Sequence, residues 1–310
     1  MVKGVSKKLL PKASTPPASI AEKDSLTDFI SKITTYAEAE GKLKCYRGQR
    51  DVAWKNIPGL FRPDLKKLEE NEKRATRDLI AVHPNEFAAD GTMFDRLVRM
   101  QHFDLPTRLM DVSLNPLVAL YFATDPGPEK SIPTDGVVTA FAIPSQREKY
   151  YDSDTVSCLS NLANMTAREK ELIIDLRADK TKDATKEEKI ARINETPVYK
   201  RLHQFIREEK PHFLPIIDPI DLFKPYYVHP KMSNRRILSQ AGGFIIYGLI
   251  PPKPINFSYV IEETRFIVPV SIKDKLREAL KLLGITESTL FPEIDRAAKR
   301  IKENYSTPKV

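Results

Sequence analysis

The sequence predicts an α+β domain: a mixed, mainly antiparallel, partly split sheet surrounded by helices. Three observations carry that expectation. Residues 137–143 read VVTAFAI, a β-branched and aromatic run of strand length, set off by the turn pair Asp135-Gly136. Residues 235–247, RRILSQAGGFIIY, read as a strand, a glycine-permitted turn or bulge, and a second strand. From Ser25, SLTDFISKITTYA places Leu26, Phe29, Ile30, Ile33 and Tyr36 on one helical face.

Taken in order, residues 1–22 carry lysines and only a two-leucine apolar patch, so they read as a flexible lead-in and not a signal peptide. Residues 23–310 read as a single domain. After the first helix ends near Gly41, strands are expected at 44–47, 107–113, 137–143, 225–228, 236–240, 243–248 and 265–270. The segment DVAWKNIPGLFRPD is irregular, with Trp54, Pro58, Phe61 and Arg62 packing a loop on the core. Helical patterns occupy 66–82 and 92–99, the second apolar at Met93, Phe94, Leu97 and Met100. Residues 145–212 turn rich in Lys, Glu, Asp and Arg, with helix patterns at 166–177, 185–194 and 198–209 and a capping box at Thr166-Ala-Arg-Glu. That region is expected to be a helical insertion on the main domain, its apolar content too thin for a separate core. Leu276, Leu280 and Leu283 mark a later helix running to Gly284, and the tail ITESTLFPEIDRAAKRIKE ends in another.

The stretch QHFDLPTRLMDVSLNPLVALYFAT, residues 101–124, organises the rest. Pro106 biases Leu105 toward extended backbone. The run that follows carries Thr107, Arg108, Asp111 and Ser113, polar side chains able to meet a ligand. Asn115 is then a helix N-cap with Pro116 at N1. The helix after it is apolar almost all round and should be buried. Polar groups at a strand end beside a buried helix start can make an anion site. Equally, Arg108 and Asp111 can pair and simply hold the turn. Two further polar clusters stand at strand edges. Arg47 beside Gly48 offers a guanidinium where backbone can approach a phosphate. Gln240 stands with Gly242 and Gly243. Arg47 can alternatively be a buried strut against a carboxylate such as Asp111.

The bulk numbers exclude several classes. No apolar run approaches the ~20 residues of a membrane span, so no membrane association is expected. Two cysteines without metal-type spacing point to a reduced, cytoplasmic setting. The five histidines form no H-x-x-x-H or His/Cys cluster, so no metal site is expected. A Walker A loop, a G-x-G-x-x-G and a G-x-S-x-G elbow are all missing. The formal charge of +8 favours polyanionic partners, although a lysine-rich solvated surface gives the same figure.

QHFDLPTRLMDVSLNPLVALYFA closely resembles the signature of the FRG domain, a bacterial and phage family named for an aromatic–Arg–Gly motif, present here as Tyr46-Arg47-Gly48-Gln49. The W…P…L-F-R stretch, the R-I-x-x-Q-x-G-x-F segment and the C-terminal L-F-P-E are similar as well, so the resemblance runs from Tyr46 to about Ile301. More distantly, these patterns resemble Arg–Ser–Glu ADP-ribosyltransferases. Tyr46-Arg47-Gly48 is similar to their phosphate-gripping strand, and Asp111-Val112-Ser113 running into Asn115-Pro116-Leu117-Val118-Ala119 is similar to their second element. The position of their catalytic Glu holds Arg236, a departure: either another residue serves, with Gln240, Asp111 and Glu209 as candidates, or the fold binds a nucleotide without transferring ADP-ribose. The resemblance implies a nucleotide- or NAD-binding effector with a toxin or anti-phage defence role. It implies cofactor contacts from Arg47, Gly48, Gln49, Gln101, Thr107, Arg108 and Ser113, and chemistry at His102, Asp111 and Gln240. The competing expectation is a non-catalytic module that binds nucleic acid or a protein target through a basic surface.

Overall fold

Eight strands form one sheet in the order β1-β8-β4-β2-β3-β7-β6-β5. They are β1 (Ala18–Ser19), β2 (Leu43–Gln49), β3 (Leu109–Ser113), β4 (Gly136–Ile143), β5 (Glu148–Tyr150), β6 (Tyr226–His229), β7 (Gly242–Ile246) and β8 (Glu262–Val268). The computed structural model describes residues 18–38, 42–128, 132–176, 185–232, 234–250 and 261–292. The expected last helix beyond Phe291 and most of the N-terminal lead-in lie outside them. Five of the seven pairings are antiparallel; β1–β8 and β5–β6, one at each edge, are parallel.

The expected split has a counterpart at the centre. β2 pairs with β4 over seven residue pairs, from Leu43 with Ile143 to Gln49 with Val137. Against β3, its other neighbour, only Tyr46 pairs with Ser113. The two halves therefore diverge between the strand of Arg47 and the strand of Asp111, and that divergence opens a cleft.

Residue alternation along the strands separates the cores. Tyr46, Val138 and Ala140 pack with Phe29 and Ile33 of α1 (Ser25–Glu38), with Ala119 and Leu120 of α5 (Pro116–Ala123), and with Leu276 and Leu280 of α11 (Lys273–Leu282). On the other face, Cys45, Phe141 and Ile143 meet Met110, Val112, Tyr227 and Ile245, so side chains from both halves share one cluster. The third core joins Leu109, Phe244 and Ile246 to Phe94, Leu97 and Met100 of α4 (Met93–His102). It continues into α6 (Asp154–Asn161), α7 (Ala167–Leu176), α8 (Lys186–Asn194) and α9 (Pro197–Glu209). The helices of 145–212 thus share this core, α6 packing on β5 and β7 while α7 and α8 pack on α9.

Several expectations are corrected. The strand expected at 236–240 is a helical turn, α10 (Arg235–Ser239). Asn234 caps it, its Oδ1 accepting from the Arg236 amide at 2.8 Å, and a local cap outweighs alternation over so few residues. The strand expected from 107 begins at Leu109. The helix expected at 66–82 is broken at Asn71 into α2 (Lys66–Glu70) and α3 (Glu72–Val82). The helix expected at 92–99 runs on through His102 after a Thr92 cap. Ala18 and Ser19 of the expected lead-in pair with β8 and are part of the sheet.

Candidate functional site

The cleft at the β2–β3 divergence has a volume of about 240 Å³. Its walls come from four places in the sequence: Arg47 on β2, the loop through Arg62, the end of α4 with β3, and α10 with β7. Of the residues expected to form a site, it brings together Arg47, Gln101, His102, Asp111 and Gln240.

Arg47 points away from the face that carries Tyr46, because neighbouring strand residues alternate. Its Nη1 donates to the backbone carbonyl of Asp111 at 2.6 Å, across the gap where the ladder stops. Its Nε is buried without a hydrogen-bond partner. Burial pulls the guanidinium below its usual pKa; Asp111 opposes this and Arg62 adds to it. Arg47 is therefore anchored through a carbonyl and not through an ion pair.

Asp111 keeps its carboxylate for the cleft. Its Oδ2 accepts from Gln101 Nε2 at 2.6 Å. The Gln101 amide is oriented in turn by Thr107, whose hydroxyl donates to Oε1 at 2.6 Å and accepts from the Leu109 amide. Thr107 is buried and does not line the cleft; it positions Gln101. His102 closes α4 at the cleft edge, its ring edge-to-face with Phe103. Gln240 lines the far wall, but its amide donates to the Leu290 carbonyl at 3.0 Å, which joins α12 (Glu287–Leu290) to the site.

Besides Thr107, four more of the expected site residues lie elsewhere. Arg108 is 1% exposed and pairs with Glu72, not Asp111: Nε–Oε1 is 2.9 Å and Nη2–Oε2 is 2.5 Å. Its Nη1 donates to the carbonyls of Tyr247 and Gly248, and Lys170 reaches the same Glu72. It is an internal strut. Gly48 does allow a close approach, but by a helix: a Cβ there would stand 1.7 Å from the Ala119 carbonyl oxygen of α5. Ser113 Oγ is buried and donates to the Gln240 carbonyl at 2.6 Å, stapling β3 to the loop before β7. Gln49 is buried, its amide donating to the Lys55 carbonyl.

Two arginines that sequence reasoning left outside the site complete it. Arg62 ends the 3-10 turn Gly59–Phe61, which is fastened to the cleft wall by the Leu60 amide donating to the Thr107 carbonyl. Arg236 enters from α10, its guanidinium 4.9 Å from the Phe291 ring centroid. Among the described residues no carboxylate forms an ion pair with Arg47, Arg62 or Arg236. Of the described residues in the lining, Asp104 and Asp111 alone bring negative charge. The signal for Arg62 was present in the L-F-R stretch, whereas the inward turn of Arg236 depends on the α10 cap.

Strained backbone also gathers here. Asp104 has φ +61° and Ala241, between the lining residues Gln240 and Gly242, has φ +44°. Asp104 follows the α4 C-cap in a Schellman-type ending, its amide donating to the Gln101 carbonyl and the Leu105 amide to Met100. Glycine usually fills that place, and left-handed side chains held at a cost concentrate at functional sites.

The chain carries an FRG domain: that family's model matches residues 42–131, which include Arg47, Arg62, Gln101, His102 and Asp111. No curated protein matches the chain. No solved structure matches it either.

Proposed function

We propose, from the premise of an FRG domain at 42–131, that the Arg47 cleft binds a nucleotide through its phosphates. NAD is the expected substrate, in an ADP-ribosyltransferase-like reaction. One observation carries the reading: Arg47, Arg62 and Arg236 converge on a cleft without an ion-paired carboxylate among the described residues. Guanidinium groups so placed repel one another, as the effect of Arg62 on Arg47 illustrates, and a diphosphate relieves that repulsion while accepting paired hydrogen bonds.

Transfer would break the bond between ribose C1′ and the nicotinamide nitrogen, the nicotinamide leaving with the electron pair. The oxocarbenium character that develops calls for a fixed negative charge. Arg236, at the position where the resemblance places a Glu, cannot supply it and serves the phosphates. Glu209 lies outside the cleft lining and accepts from the Met93 amide at the start of α4, and the Gln240 amide is engaged with Leu290. Asp111, held by Gln101 in the cleft itself, is the carboxylate for that role, and His102 is placed to take the proton of the incoming nucleophile. The family resemblance supports a toxin or phage-defence role, and the two free cysteines support a reduced, cytoplasmic setting.

The test is nicotinamide release from NAD by the purified protein, with cell lysate as the source of acceptor. Release is expected from the parent chain and lost in Arg47→Ala and Asp111→Asn. If the protein releases no nicotinamide and shows no thermal shift with any nucleotide, the reading is overturned. Affinity for nucleic acid that collapses between low and moderate salt would instead support a basic binding module, an outcome the +8 charge keeps in play.

A further inference from the structure

A second cavity, of about 360 Å³, adjoins the cleft along the outer side of α4. The two share one wall, made by Val98, His102, Asn234 and Ile237. Their chemistry differs sharply. In the cleft the arginines lack carboxylate partners among the described residues, whereas in the second cavity both Arg99 and Lys231 are neutralised. Arg99 pairs bidentately with Asp90 at 2.6 and 2.8 Å, and Lys231 pairs with Asp95 at 2.8 Å. The remaining lining is largely flat or apolar, with Phe94, Val98, Ile237 and Pro230, together with the ring of Phe103. Phe103 is 52% exposed, although aromatic rings ordinarily bury their faces.

From this contrast we infer that the second cavity receives the uncharged nucleobase of a nucleotide whose phosphates lie in the Arg47 cleft, with Phe103 as the stacking platform. This deepens the nucleotide reading and rests on it. The neutralised ion pairs give a further phosphate no free cation to meet. A planar ring finds an aromatic face, the polar group of Asn234 at the shared wall, and His102 at the border. The ligand class is a base joined to a diphosphate, bent across α4 and α10, and not a bare polyanion.

Isothermal titration of the full chain with inorganic pyrophosphate and with ADP, at one salt concentration, tests it. ADP should bind more tightly than pyrophosphate. Phe103→Ala should weaken ADP about tenfold, the scale of losing one base–aromatic stack, and leave pyrophosphate unchanged. Phe103→Trp should restore ADP binding. Because Phe103 is half-exposed, its loss is not expected to unfold the chain, and a melting curve checks this. If the parent chain binds both ligands equally, or if Phe103→Ala weakens both alike, the base site is overturned while the phosphate cleft stands. If the parent chain binds neither, the cleft reading fails and the base site with it.

Discussion

Arg108→Met is the substitution that best separates strut from ligand contact. The side chain is 1% exposed, and its guanidinium makes four hydrogen bonds: two to Glu72 and one each to the carbonyls of Tyr247 and Gly248. Methionine keeps much of the stem volume, so the loss reports charge and hydrogen bonding more than a cavity. Removing one partner of a buried ion pair costs about 3–5 kcal/mol, because the other charge is left uncompensated. Lys170 still reaches Glu72, which places the expected loss near the lower end of that range. At roughly 2–4 °C per kcal/mol for domains somewhat smaller than this one, the melting temperature should fall by about 6–12 °C. Urea unfolding followed by far-UV circular dichroism gives the free energy, and titration of the folded fraction gives ligand affinity. Stability should drop while affinity per folded molecule holds. A loss below ~1 kcal/mol, as at a surface position, or a selective loss of ligand, would refute the assignment of Arg108 as a strut.

Four further outcomes are expected. Burial alone would raise the Glu72 carboxyl, but Arg108 and Lys170 outweigh it and hold the folded-state value below the usual 4.5. Its contribution to stability is therefore present above pH 4.5 and lost as pH falls toward the depressed value, and Glu72→Gln should flatten that limb of the stability–pH curve. Arg47→Ala strands no carboxylate, so stability should change by no more than ~1 kcal/mol while nucleotide affinity falls about tenfold, one charge-assisted contact of ~1.5–3 kcal/mol. Gly48→Ala drives a Cβ into the Ala119 carbonyl and should reduce soluble yield, since neither backbone can move aside without breaking the β2–α5 packing. Asp104→Gly, at φ +61°, should raise stability by ~0.5–1 kcal/mol in thermal melts, the left-handed strain relieved less the extra unfolded-state freedom of glycine; an unchanged or lower stability would show that Asp104 makes a compensating contact.

The sequence by itself determined the α+β class, most strands, the caps at Asn115 and Thr166, and the burial of the helix after Asn115, because alternation, turn residues and capping are local and repeat within a few residues. It also singled out Arg47, Gln101, His102, Asp111 and Gln240, which do meet in one cleft. It could not assign α10, where one Asn cap decided between two readings of five residues. Nor could it tell that Arg108 and Arg47, with similar polar neighbours along the chain, have opposite fates. Arg108 finds Glu72, 36 residues away, while Arg47 finds a carbonyl and a gap. The gap arises because β2 and β3 pair at one position alone, and Arg62 and Arg236 line it because separate loops converge there. Which charges are cancelled and which stay available depends on distances between segments remote in sequence, and only the tertiary structure sets those.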